Sequence, residues 1–129
     1  VSPALDGVSV LLVEDNEDLR ELLCIWLESV GARVQQAANG LEALRAVRLA
    51  TPHVIICDLH MPGMDGCGFV DHMRRELKLD VPVIALTGSE SERALFRTLE
   101  AGFIGHLLKP VTREALVSQI GRAVRGVAH

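Results

Sequence analysis

The sequence has no tyrosine, one tryptophan and three phenylalanines, so aromatics make up 3% of its 129 residues. Its core therefore has to be aliphatic. No apolar run approaches the ~20 residues that a membrane-spanning helix needs. No signal-peptide pattern is visible at the N-terminus. Positive charge is in deficit: 13 Lys and Arg stand against 17 Asp and Glu, for a net charge of −4. That balance argues against a nucleic-acid surface as the main role. The three cysteines, Cys24, Cys57 and Cys67, are odd in number and lack metal or redox spacing. They read as reduced thiols, which implies a cytoplasmic setting. Repeats, low-complexity stretches and a second domain are also absent. The length suits one domain, large enough to bury roughly two-thirds of its unfolded surface without staples. The first residue is Val1 rather than Met, which reads as processing or excision from a longer chain.

What is present is an alternation. VSVLLV (8–13) is a short β-branched run. After Asp18, apolar residues recur at Leu19, Leu22, Leu23, Trp26, Leu27 and Val30, which is helical spacing, and Gly31 stands where that helix would end. ARVQQA (32–37) is a weaker second strand. Asn39 and Glu42 form a capping-box pair for a helix over 41–50, stopped by Thr51-Pro52. HVIIC (53–57) is strand three, and 67–78 a third helix. VPVIALT (81–87) is strand four. Ser89 and Glu92 pair as a capping box for a fourth helix, running to Ala101-Gly102. FIGHLL (103–108) is strand five. Thr112 caps a last helix carrying Leu116, Ile120, Ala123 and Val127.

Five strand–helix units predict an α/β fold: a parallel sheet with helices on both faces. Strand two, with Gln35 and Gln36, reads as an edge. Right-handed crossovers then favour the flavodoxin-like (βα)5 order 2-1-3-4-5, with a switch point between strands one and three. The domain spans 8–127, and 1–7 reads as a tail or the end of a linker.

Sites in such sheets form at the C-terminal strand ends, beside the switch point. Strand one delivers Glu14 and Asp15 there, and strand three delivers Asp58. Strand four adds Thr87, and strand five is followed by Lys109. Three carboxylates this close repel one another. A hard divalent cation resolves the repulsion with an all-oxygen donor set: Mg²⁺, or Mn²⁺. One carboxylate can then act as a nucleophile and carry a phosphoryl group as an aspartyl phosphate. A metal, a lysine and a hydroxyl would hold the three phosphoryl oxygens.

LLVEDN around Glu14-Asp15, DLHMPGMDG from Asp58, ALTG around Thr87, and KP at Lys109-Pro110 occur in this order. Together with the alternation, which covers nearly the whole chain, they resemble the receiver domains of two-component response regulators and hybrid histidine kinases. The resemblance implies that Asp58 accepts phosphate from a phosphohistidine, on a histidine kinase or a histidine phosphotransfer domain. It implies that Glu14, Asp15 and Asp58 bind the metal, helped by the backbone carbonyl of His60. It implies that Thr87 and Lys109 contact the phosphoryl group and couple it to the face around the fourth predicted helix, strand five and the last helix. A receiver of this kind catalyses its own aspartyl phosphorylation and dephosphorylation. Lys109-Pro110 matches a position where the family usually has a cis peptide. His106 departs from the pattern: the family usually has Tyr or Phe there, an aromatic that changes rotamer on activation. An imidazole at this switch position can ionise near neutral pH, so its population would depend on pH. No direct nucleic-acid or membrane contact is expected, and the protein reads as a monomer or weak dimer. The lead-in LDGVSVLLVEDN resembles receivers that follow kinase catalytic domains, so the receiver of a hybrid sensor kinase is the expected context. A stand-alone or excised response-regulator receiver is the alternative.

Plainer readings compete residue by residue. Alone, Asp58 would read as a turn cap. Glu17 and Asp18 suit a helix N-terminus, and Asp65 reads as structural capping. Pro62-Gly63 suits a tight turn. Cys57 and Cys67 read as packing residues. A flavodoxin-like cofactor binder would need a Gly/Ser/Thr-rich loop after strand one, where this chain has EDNED. A phosphatase resembling haloacid dehalogenases would carry a second Asp where this chain has His60. A degenerate receiver that only binds partners would not need the set Glu14, Asp15, Asp58, Thr87 and Lys109.

Overall fold

The computed structural model describes residues 4–88 and 101–127. The apolar runs become five strands: β1 Ser9–Val13, β2 Arg33–Ala37, β3 Val54–Asp58, β4 Val83–Thr87 and β5 Gly105–Leu108. Among them lie α1 Glu17–Ser29, α2 Gly40–Leu49, α3 Gly66–Arg75 and the C-terminal helix, α4, Arg113–Val127. Every strand pair is parallel, and the order is β2-β1-β3-β4-β5. The helix predicted from Ser89 and Glu92 lies outside the described residues.

Side chains alternate between the two faces of a strand, and the core divides accordingly. Leu11, Val13, Ile55, Cys57, Val83 and Ala85 pack with α2 and α3 residues such as Leu44, Phe69 and Met73. Val10, Leu12, Val54, Ile56, Ile84 and Leu86 pack with α1 and α4 residues such as Leu23, Leu27, Leu116 and Ile120. β1, β3 and β4 are thus apolar on both faces because both faces are covered. β2 is mostly exposed, as its glutamines require.

The helix starts follow local chemistry. Asn16, Asn39 and Asp65 are N-caps whose side chains accept from Leu19, Glu42 and Gly68 backbone N–H groups. Glu42 reaches back past Asn39 to the N–H of Ala38, at 3.0 Å. Several boundaries differ from expectation, and β5 starts at Gly105 rather than at 103. α3 stops at Arg75 rather than near 78, and Lys78 takes a left-handed φ of 56° that no helix continues through. β4 starts after Pro82, which has no N–H to give a ladder. Residues 4–7, expected as tail, form a turn packed on the domain: Leu5 is 2% exposed and its N–H donates to the Val30 carbonyl. One apolar side chain had a core position to fill.

Candidate active site

The strand order reverses between β1 and β3, and the register sets Val13 beside Cys57. The next residue on each strand path is Glu14 and Asp58, so both reach the same sheet edge together. Asp58 is the last residue of β3, paired with Leu86 of β4. Thr87 pairs with Leu108, and the Lys109 N–H donates to the Thr87 carbonyl at 2.8 Å. That bond seats Lys109 over the end of β4. The Lys109-Pro110 peptide is cis.

Glu14, Asp15 and Asp58 each offer a carboxylate oxygen within 4.8 Å of the others. Glu14 and Asp58 are buried, at 0% and 2% exposure, while Asp15 is exposed. Lys109 Nζ lies 3.2 Å from Asp58 Oδ2, to which it donates, and 3.0 Å from Glu14 Oε1. The His60 N–H donates to the other Asp58 oxygen, Oδ1, at 3.1 Å. The Asn16 N–H donates to Glu14 Oε2 at 3.0 Å. Glu14 Oε1 is buried without a hydrogen bond: Lys109 stands within ion-pair reach but off the bonding direction.

Two buried carboxylates facing one ammonium are an unbalanced set. Burial pushes the Glu14 carboxyl up to about 7, against the Asn16 N–H and Lys109, with the charge of Asp58 adding to the rise. Partial burial pulls Lys109 down, but its ion pairs with the Glu14 and Asp58 carboxylates outweigh it and raise its pKa. A hard cation fits this edge. Three convergent carboxylates, one with an orphaned buried oxygen, are an oxygen donor set for Mg²⁺ or a close relative.

Of the site residues expected from the sequence, Glu14, Asp15, Asp58 and Lys109 come together. Thr87 is buried at the end of β4, next to them along the sheet edge. His60 contributes its backbone here. His106 lies two residues before the end of β5, with its side chain exposed and its carbonyl accepting from Gln119 Nε2 at 3.1 Å. Two contacts at the site escaped the sequence reading, although Gly66 itself reads there as the glycine that lets the chain enter the next helix. Gly66 brings the start of α3 so close that a Cβ there would stand 2.5 Å from the Asp58 carbonyl oxygen. Arg20 of α1 donates from Nη1 to the Glu14 carbonyl at 2.8 Å. Contacts to backbone carbonyls leave no pattern in a sequence.

The family model described as "Response regulator receiver domain" matches residues 10–121. The chain belongs to this family. Among curated proteins, the receiver is 36% identical over 107 residues to the Regulator of RpoS of Escherichia coli K12, covering 83% of this chain and 32% of that protein. It is 32% identical over 120 residues to the phosphate regulon transcriptional regulatory protein PhoB of the same organism, covering 92% of this chain and 52% of that one. It therefore spans only part of the length of these relatives. Among solved structures, the chemotaxis protein CheY4 of Vibrio cholerae superposes with a TM-score of 0.85 at 32% identity, over 90% of this chain and 98% of that one. The signal receiver domain of a signal transduction histidine kinase from Syntrophus aciditrophicus gives 0.84 at 34% identity, over 94% and 92%. Among the described residues, no helix of the receiver is long and apolar enough to cross a membrane.

Proposed function

We propose that Asp58 is the phosphoacceptor of this receiver, taking its phosphoryl group from a phosphohistidine of a histidine kinase or a histidine phosphotransfer domain. The observation that carries this reading is the Asp58 carboxylate. It is buried at the switch point, held by Lys109 and the His60 N–H, and grouped with Glu14 and Asp15.

Glu14, Asp15, Asp58 and the His60 carbonyl would hold Mg²⁺ or Mn²⁺. When bound, the ion neutralises charge on the carboxylates and on the phosphoryl oxygens. The chain's own groups do the positioning. The His60 N–H and Lys109 Nζ take opposite oxygens of Asp58 and fix the plane of the carboxylate. An Asp58 oxygen attacks phosphorus, forming the O–P bond as the P–N bond to the histidine breaks. The departing imidazole keeps the bonding pair and takes up a proton. Lys109 and the Thr87 hydroxyl then face the phosphoryl oxygens. Their movement toward the new group transmits the signal along β4 and β5, with His106 at the switch position. Hydrolysis of the acyl phosphate at the same site resets the domain.

The lead-in LDGVSVLLVEDN favours the receiver of a hybrid sensor kinase in the cytoplasm. The curated relatives, a transcriptional regulatory protein among them, favour a response regulator as the second reading. The full-length gene product decides between them. The chemistry is tested by incubating the protein with Mg²⁺ and acetyl phosphate and reading the intact mass. A phosphoryl adduct that is lost in Asp58→Asn and with chelator is the expected result. No adduct, under conditions that label a known receiver, overturns the proposal.

A further inference from the structure

We infer that Arg20 is a positioning residue that aims Glu14 and Asp15 at the divalent cation. The inference rests on the metal site proposed above. The last ladder bond of β1 on this side is the Glu14 N–H to the Ala37 carbonyl, at 3.1 Å. The first helical bond of α1 is the Arg20 N–H to the Asn16 carbonyl, at 2.9 Å. Between these two bonds the chain turns, and both acidic residues sit in the turn.

The peptide that joins them is rigid and planar. Its oxygen is the Glu14 carbonyl, which accepts from Arg20 Nη1 at 2.8 Å. Holding that oxygen holds the whole plane, and with it ψ of Glu14 and φ of Asp15. The directions of both side chains follow. The guanidinium is itself braced, since Nε donates to Gln36 Oε1 of β2 at 3.3 Å and Gln36 Nε2 reaches Cys24 Sγ at 3.3 Å. Asp15 is exposed, so packing does not hold it in place, and the peptide plane carries that duty. A planar fork suits two acceptors at once, and a lysine would reach only one.

Charge alone predicts the opposite effect. A cation near a cation site repels the metal, so deleting it by electrostatics should tighten Mg²⁺ binding. Positioning predicts weaker binding despite that relief. Partners one shell out from a metal typically contribute 10- to 100-fold in affinity, and a loss of about tenfold is expected for Arg20→Met, which keeps the aliphatic stem. Arg20→Lys keeps the charge but not the fork and falls between. Gln36→Ala, at an exposed position, loosens the brace and weakens binding by a smaller factor.

The test is calorimetric titration of unphosphorylated protein with Mg²⁺, with the melting temperature of the metal-free protein recorded alongside. Initial rates with acetyl phosphate are taken at limiting and saturating Mg²⁺. The expected result is weaker Mg²⁺ binding in all three variants, with rates returning toward wild type at saturation. Equal or tighter binding in Arg20→Met, while wild type titrates normally, overturns the inference and leaves the metal site standing. Should Arg20→Met not fold, Arg20→Lys and Gln36→Ala decide on the same criterion. If wild type does not titrate, the metal site falls and this inference with it.

Discussion

Gly102 meets two demands at once, and replacing it with alanine tests both. Its φ is +89°, and a Cβ there would overlap Arg74 Nη1. Arg74 ties the end of α3 to this turn: Nη1 donates to the Ala101 carbonyl at 3.1 Å and to the Gly102 carbonyl at 2.7 Å, and Nη2 reaches the Val81 carbonyl at 3.3 Å. Forcing a left-handed conformation on alanine costs about 1–2 kcal/mol. Moving the guanidinium costs about 1–2 kcal/mol more, because the Arg74 side chain keeps 25% exposure and regains part of its hydration. The total is about 2–4 kcal/mol. With about 2.1 cal/mol/K of unfolding entropy per residue, that lowers the melting temperature by about 7–15 °C. Urea and thermal unfolding of Gly102→Ala measure the loss. Arg74→Met and the double variant complete the cycle. In the Arg74→Met background only the backbone cost should remain, so the glycine's effect should roughly halve. Equal cost in both backgrounds refutes the overlap argument. A loss below about 0.5 kcal/mol in wild type refutes the conformational one as well.

Other outcomes follow from the site. Gly66→Ala places a Cβ 2.5 Å from the Asp58 carbonyl and 3.1 Å from Leu59 Cα, both backbone atoms. It should cost about 1–3 kcal/mol in unfolding and slow labelling by acetyl phosphate, since relief requires moving Asp58. Glu14, buried and raised from 4.5 to about 7, should shape the pH dependence of the metal-free protein. The folded state holds this proton where the unfolded state has released it, so the associated stability is complete below about 4.5 and lost as pH rises through about 7. Lys109 is raised too, and its contribution is lost only at alkaline pH, outside that window. Melting curves in chelator should therefore show a fall from pH 4.5 to 7 relative to Glu14→Gln, and parallel curves would refute the assignment. Asn39→Ala removes the oxygen that caps Glu42 at 2.9 Å and should cost about 1 kcal/mol, read by urea unfolding.

Much of the architecture was legible because its causes are local or periodic. Apolar runs, helical spacing and the caps Asn39 and Asp65 act within a few residues, so they survive in a one-dimensional reading. The convergence of Glu14, Asp15, Asp58 and Lys109 was legible for a different reason. In a parallel sheet every strand ends at the same edge, so residues far apart in sequence meet once the order is known. What escaped was set by backbone shape and by space. Lys78 and Pro82 moved element ends, and Leu5 turned a presumed tail into part of the core.

The sequence by itself determined which chemistry reaches the edge of this sheet: three carboxylates, a hydroxyl and an ammonium, delivered by strand ends that the apolar pattern locates and that parallel pairing brings to one edge. Only the tertiary structure decided how those groups are aimed and how the helices and loops around them are tied down. Arg20 on the Glu14 carbonyl, Arg74 on the carbonyls of 101 and 102, and Gly66 against Asp58 all act on backbone atoms. Every residue carries the same carbonyl, so no residue type announces such a contact. It exists only once the chain has folded and brought a particular side chain to a particular peptide plane.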